Sequence, residues 1–235
     1  MDYISLPSSI DFISTENPNV GELLISPCHQ GYGITIGNSL RRVLLSSIEG
    51  AAVETMKIEG VQHEFDAVDG VVEDVLQIML NLKQLAIISH SEEPVRLSLS
   101  TKKAGDVLAS DFEKNADIEI VNSTHKIATL TDAKKGFNLE IIIGKGLGYV
   151  SASEKDSKNL DLGTILVDSF YSPIKDIGYN VENTRVGDVT DYEKLTLKIE
   201  TNGTISAKEA VTRATKILMD HFRLILDAAD TISEN

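Results

Sequence analysis

The chain has 235 residues, of which 42% are hydrophobic and 25% charged, so it is long and apolar enough to bury a core and is not a disordered polyelectrolyte. A formal net charge of −14 with no Lys/Arg-rich run opposes binding to a phosphate backbone, so no direct DNA contact is expected from this segment. The single cysteine, Cys28, excludes an internal disulfide and a zinc site built on paired cysteines.

A reducing, cytoplasmic setting is the simplest one for such a chain. Met1-Asp2-Tyr3-Ile4-Ser5 lacks the basic and apolar regions of a signal peptide, and no apolar run is long enough to span a membrane.

In chain order, the first expected helix covers residues 38–48, with Asn38 or Ser39 as its cap and Gly50 closing it in a left-handed conformation. A second helix is expected after Asp69 as its cap, because Val72, Val75, Leu76, Met79 and Leu80 recur at helical spacing. Glu73 and Asp74 suit the positive end of its dipole. The period then changes to two. Val95–Leu99, Asp117–Val121 and Leu195–Ile199 alternate as half-buried strands, and Asn138–Ile143 is a more continuous apolar strand. Polar stretches at 100–116 and 151–160 read as loops. Asn202-Gly203 makes a turn, and Ser206 followed by Glu209 has the capping-box pattern. From about 206 to 229 a long helix carries one apolar face through Ala210, Val211, Ala214, Ile217, Leu218, Phe222 and Ile225. Strands and helices without regular β-α-β alternation define an α+β fold.

Candidate chemistry is sparse. Gly144-Lys145-Gly146-Leu147-Gly148 follows a strand, but no helix opens after it to receive a phosphate, so a structural turn is the expected reading. His29, His63, His90, His125 and His221 show no metal-binding spacing, and Cys28-His29 lacks a nucleophile elbow. No catalytic, cofactor or metal residue is therefore assigned. On the first helix, Leu40, Val43, Leu44 and Ser47 share one side at about 100° per residue, while Arg42 and Leu45 share the far one. That far face reads either as a snorkelling arginine with a tolerated leucine or as a contact patch for a protein. The last helix could pack on its own domain or on a symmetry mate.

Several long motifs carry a family resemblance over nearly the whole chain. Gly31-Tyr32-Gly33-Ile34-Thr35-Ile36-Gly37-Asn38-Ser39-Leu40-Arg41-Arg42-Val43-Leu44-Leu45-Ser46-Ser47 resembles the signature helix of bacterial RNA polymerase alpha subunits. Phe65–Leu76 through Asn81-Leu82-Lys83, Gly146–Val150, Tyr171-Ser172-Pro173-Ile174, Tyr179–Glu182 and Thr201–Ile205 follow in that family's order. The resemblance implies a non-catalytic assembly scaffold with a discontinuous dimerisation subdomain, residues 1–49 with 172–235, and a mostly β insert at 50–171. It implies a homodimer pairing through Leu40, Val43, Leu44, Val211, Ala214, Leu218, Phe222 and Ile225. It also implies capture of the polymerase beta subunit at Arg42, Leu45 and Lys83, and of beta-prime near Val167, Ile174 and Lys194. Ser151-Ala152-Ser153 stands where the family often has a proline, leaving that loop open. Family members usually continue through a flexible linker into a small domain that touches promoter DNA. This sequence ends at Asn235, so that domain is either truncated or absent, and upstream DNA recognition is left out of the expected function. The rival classes are an enzyme binding a phosphorylated molecule at Gly144–Gly148 and a dimeric adaptor of another complex.

Overall fold

A computed structural model describes residues 4–132, 135–156, 160–187 and 189–232. Its strands are β1 (Ser9–Ser14), β2 (Val20–Cys28), β3 (Glu49–Ile58), β4 (Ile87–Ser89), β5 (Val95–Thr101), β6 (Gly105–Leu108), β7 (Ile118–Ile120), β8 (Lys126–Leu130), β9 (Phe137–Leu147), β10 (Tyr149–Val150), β11 (Thr164–Leu166), β12 (Ser169–Phe170), β13 (Ile174–Val186) and β14 (Val189–Thr201). The helices are α1 (Tyr32–Ser46), α2 (Val75–Leu82) and α3 (Ala207–Ile232). The pairings between named strands are antiparallel, and the mixture is α+β.

The chain divides into two compact units, one running up to Ile48 and again from Pro173, the other from Glu49 to Ser172. In the first, four strands lie in the order β1-β2-β14-β13. Period-two patterning explains which face is covered. Leu195, Leu197 and Ile199 of β14 point to one side and are fully buried, and α1 and α3 supply Leu40, Leu44, Val211 and Ala214 to the same core. Removing each of the leucine, isoleucine and valine side chains among these from water contributes about 1.5–3 kcal/mol. In the second unit a sheet ordered β5-β9-β3-β4-β7, with β11 on β3, packs against α2. Its core includes Met56, Val75, Ile78, Leu82, Phe137 and Ile141.

Several local expectations are corrected. The first helix begins at Tyr32, so Asn38 and Ser39 lie inside it, and the Ser39 hydroxyl donates to the Thr35 carbonyl one turn back. It stops at Ser47 without a left-handed glycine, and Gly50 belongs to β3. The cap of α2 is Asp74, whose carboxylate accepts from the Gln77 amide at 2.7 Å, while Asp69 pairs with Lys135. Within 100–116 the chain forms β6, paired with β8, and a 3-10 turn at Ala109–Asp111. Within 151–160 it forms a 3-10 turn at Ala152–Glu154, and residues 157–159 lie outside the described ones. Such short elements carry too few residues to show a period.

Candidate protein-interaction surfaces

The start of α1 has no side-chain cap and no acidic residue of its own, yet two of its amides find a carboxylate from far along the chain. Glu193 of β14 reaches it, and the two carboxylate oxygens accept from Gly31 N and Gly33 N at 2.9 Å each. A negative group at this end also complements the helix dipole. The helix lies so close to the sheet that a Cβ at Gly33 would come within 2.7 Å of Glu193, and one at Gly37 within 2.9 Å of Leu195 and Tyr179. Gly33, Gly37, Leu40 and Leu44 therefore form the buried stripe. Arg42 is exposed on the opposite side and makes no ion pair with any described residue, and Leu45 beside it is 39% exposed.

The start of α3 is capped locally, with Glu209 N donating to Ser206 Oγ at 3.2 Å. Its first half packs through Ala210, Val211 and Ala214. Its second half exposes Met219, Phe222, Leu224, Ile225 and Leu226, each by 60% or more. Against this helix, Ile10 and Phe12 of β1 and Thr35, Ile36 and Ser39 of α1 border an apolar cleft of about 580 Å³ that Leu218, Met219 and Phe222 complete. Isolated exposed apolar residues are normal on a soluble surface, but a contiguous run of this kind is a candidate surface for contact with another molecule.

On α2 the five-residue apolar stripe divides. Val75 and Met79 are buried, while Leu76 and Leu80 are 41% and 48% exposed and Val72, before the helix, is 66% exposed. Lys83 caps the helix end, and its Nζ lies 2.7 Å from Asp168 Oδ2.

Two thirds of the length of known proteins aligns with this chain at high identity. It is 48% identical to the DNA-directed RNA polymerase subunit alpha of Moorella thermoacetica over 91% of the chain and 68% of that protein. The subunits alpha of Symbiobacterium thermophilum and Staphylococcus saprophyticus are each 47% identical, over 94% and 92% of the chain and 70% and 68% of those proteins. The chain belongs to the RNA polymerase alpha-subunit family. The family model described as the RNA polymerase Rpb3/RpoA insert domain matches residues 56–172, which fall inside the second compact unit. This family is the assembly scaffold of the transcribing enzyme, and membership places the chain in that complex.

Seen as an alpha-family chain, the contact residues taken from sequence separate into usable and spent ones. Leu44 and Ala214 are fully buried, and Leu40 and Val211 are 5% and 6% exposed, so all four belong to their own unit's core, and Leu40 and Val211 also line the apolar cleft. Val43 and Leu218 are partly buried against that core. Phe222 and Ile225 stand free. Val167 and Ile174 are corrected as well. They are 0% and 1% exposed, one in each unit's core, and have no surface to offer a partner. Lys194 keeps 38% of its side chain exposed, with Glu182 3.9 Å away. Arg42 and Leu45 lie in the first unit and Lys83 in the second. Ile10, Phe12 and Met219 were missed. The Ile10-x-Phe12 alternation of β1 was the signal, but it is too short to stand out.

No group of three or more His, Cys, Asp or Glu among the described residues could hold a metal. Burial, and then the nearby Glu193 charge, push the Cys28 thiol pKa up, against a nucleophilic role. The glycine segment belongs to β9 and its exit. A Cβ at Gly144 would clash with Glu54 Oε1, and one at Gly146 would come within 2.9 Å of the Tyr171 ring. These glycines let neighbouring side chains cross the strand, and no helix follows to face a phosphate. Among the described residues no helix is long and apolar enough to cross a membrane.

Proposed function

We propose that the chain forms a homodimer and that the dimer captures the beta and beta-prime subunits of RNA polymerase, in the cytoplasm and without touching DNA itself. The observation that carries this reading is the free half of α3 beside the apolar cleft of β1 and α1. A helix apolar on that face and exposed from Met219 to Leu226 offers a surface that a second copy can cover reciprocally in a two-fold pair. Arg42 and Leu45 supply the cation-plus-apolar chemistry enriched at interface centres, and Lys83 adds a second cation for beta. Lys194 remains as the beta-prime contact. The dimer contacts are Leu218, Phe222 and Ile225, with Val43 at the margin. Light-scattering mass after size exclusion, measured alone and with purified beta subunit, tests this. A dimer that takes up one beta is expected. A monomer indifferent to beta would overturn it.

A further inference from the structure

We infer that Asp168 is a positioning residue for Lys83, holding the lysine ammonium in the orientation in which a protein partner takes it, and that the turn at 152–155 fixes Asp168 in place. This rests on the reading of Lys83 as a beta contact.

A free lysine side chain loses up to about 2 kcal/mol of rotamer entropy when a partner immobilises it. Here much of that ordering precedes binding. Asp168 Oδ2 takes one of the three ammonium protons at 2.7 Å, and the two side chains are only 26% and 32% exposed, so solvent screens the pair less than an open one. Asp168 cannot swing freely, because its other oxygen, Oδ1, accepts from Ala152 N at 2.8 Å. The Ala152 amide, and then Lys83, hold the Asp168 carboxyl below its usual range, so it stays anionic.

The turn that presents Ala152 is itself anchored. Ser151 Oγ accepts from Ser153 N, and Lys155 at the turn's end sends its Nζ inward to Glu54 O, Val167 O and Ser169 Oγ. The last two lie on either side of Asp168 in the chain. Ser169 is fully buried and donates onward to Val53 O at 2.7 Å. Lys155 thereby ties the turn and the Asp168 segment to β3. Two Lys83 protons remain for a partner acceptor. Leu76 and Leu80, exposed at i−7 and i−3, put apolar surface on the same helix face. The matching segment of beta is apolar and carries a carboxylate or carbonyl.

The test is the affinity of the intact chain for purified beta subunit in Lys83→Ala, Asp168→Asn, the double variant and Ala152→Pro. The proline removes the amide donor at the first position of the turn, and Ser151 already has the φ −69°, ψ 147° that a following proline requires. Lys83→Ala is expected to weaken binding. Asp168→Asn and Ala152→Pro should each cost about threefold to tenfold, and Asp168→Asn should add nothing in the Lys83→Ala background. Ammonium NMR of Lys83 should show a fixed rotamer in the parent chain and averaging in Asp168→Asn. If Lys83→Ala binds normally, the contact reading of Lys83 is wrong. If it binds weakly but Asp168→Asn and Ala152→Pro bind as the parent does, or the losses add in the double variant, the positioning inference alone is overturned.

Discussion

Two helices of the same unit, α1 and α3, both display an apolar stripe, yet they spend it differently. In α1 the stripe of Gly33, Gly37, Leu40 and Leu44 is consumed by the sheet beneath it, and Arg42 and Leu45 lie on the opposite, exposed side. In α3 the stripe outruns the sheet, and Met219, Phe222 and Ile225 continue it into solvent. Amphipathic period tells which face of a helix is apolar. How far the supporting surface extends tells which part of that face is left for a partner. The helix starts differ as well: α3 is capped by its own Ser206, α1 by Glu193 from a strand 160 positions beyond Gly33.

That contrast can be broken from either side. The largest expected effect is on pairing. Phe222→Asp puts a charge on the free stripe and should weaken the dimer by more than about a hundredfold without unfolding the chain, since an unpaired charge buried between copies is costly. Sedimentation should show a folded monomer, and a persistent dimer would refute the orientation of α3. Leu44→Ala on the spent stripe should instead act within one copy, lowering stability by about 2–5 kcal/mol in urea unfolding. Loss of Glu193's side chain in Glu193→Ala strands two helix amides and should cost about 1–3 kcal/mol, with α1 amides exchanging faster. No such loss would show that solvent caps α1 as well as the carboxylate does.

A pH effect sharpens the second unit. Burial of Tyr171, and then its hydrogen bond to Glu54, push its pKa up from 10.0 to about 12. Because the folded value lies above the unfolded one, this contribution is complete below pH 10.0 and is lost as pH rises toward about 12. Tyr171→Phe should flatten that alkaline decline, as read by unfolding midpoints across the window. The smallest effect on the chain itself belongs to Arg42→Ala. Fold and dimer should stay within about 0.5 kcal/mol of the parent, while beta affinity falls about tenfold, measured by titration calorimetry.

Much of the fold was legible in residue order. The alternation of Leu195, Leu197 and Ile199 marks a strand with one buried face, and they are fully buried. Ser206 with Glu209 marks the start of α3. Short elements such as β6 and β10 escaped because two to four residues cannot display a period, and the longer β2, β3 and β13 were not expected either. The candidate surfaces were half legible. Arg42 and Leu45 could be placed opposite the buried stripe from helix geometry alone, whereas Val167 and Ile174 could not be recognised as core residues, because burial depends on what packs over a residue.

Sequence alone determined the α+β class, the family motifs, the apolar face of α3 and the exposed side of α1, since all of these follow from local spacing and composition. Only the tertiary structure decided that Glu193 caps α1, that Asp74 and not Asp69 caps α2, that Asp168 holds Lys83, and that Leu40, Leu44, Val211 and Ala214 serve their own core. Apart from the Asp74 cap, which is local, each of these depends on a group distant in the chain or on the extent of a packed surface, and neither is encoded in the spacing of neighbouring residues.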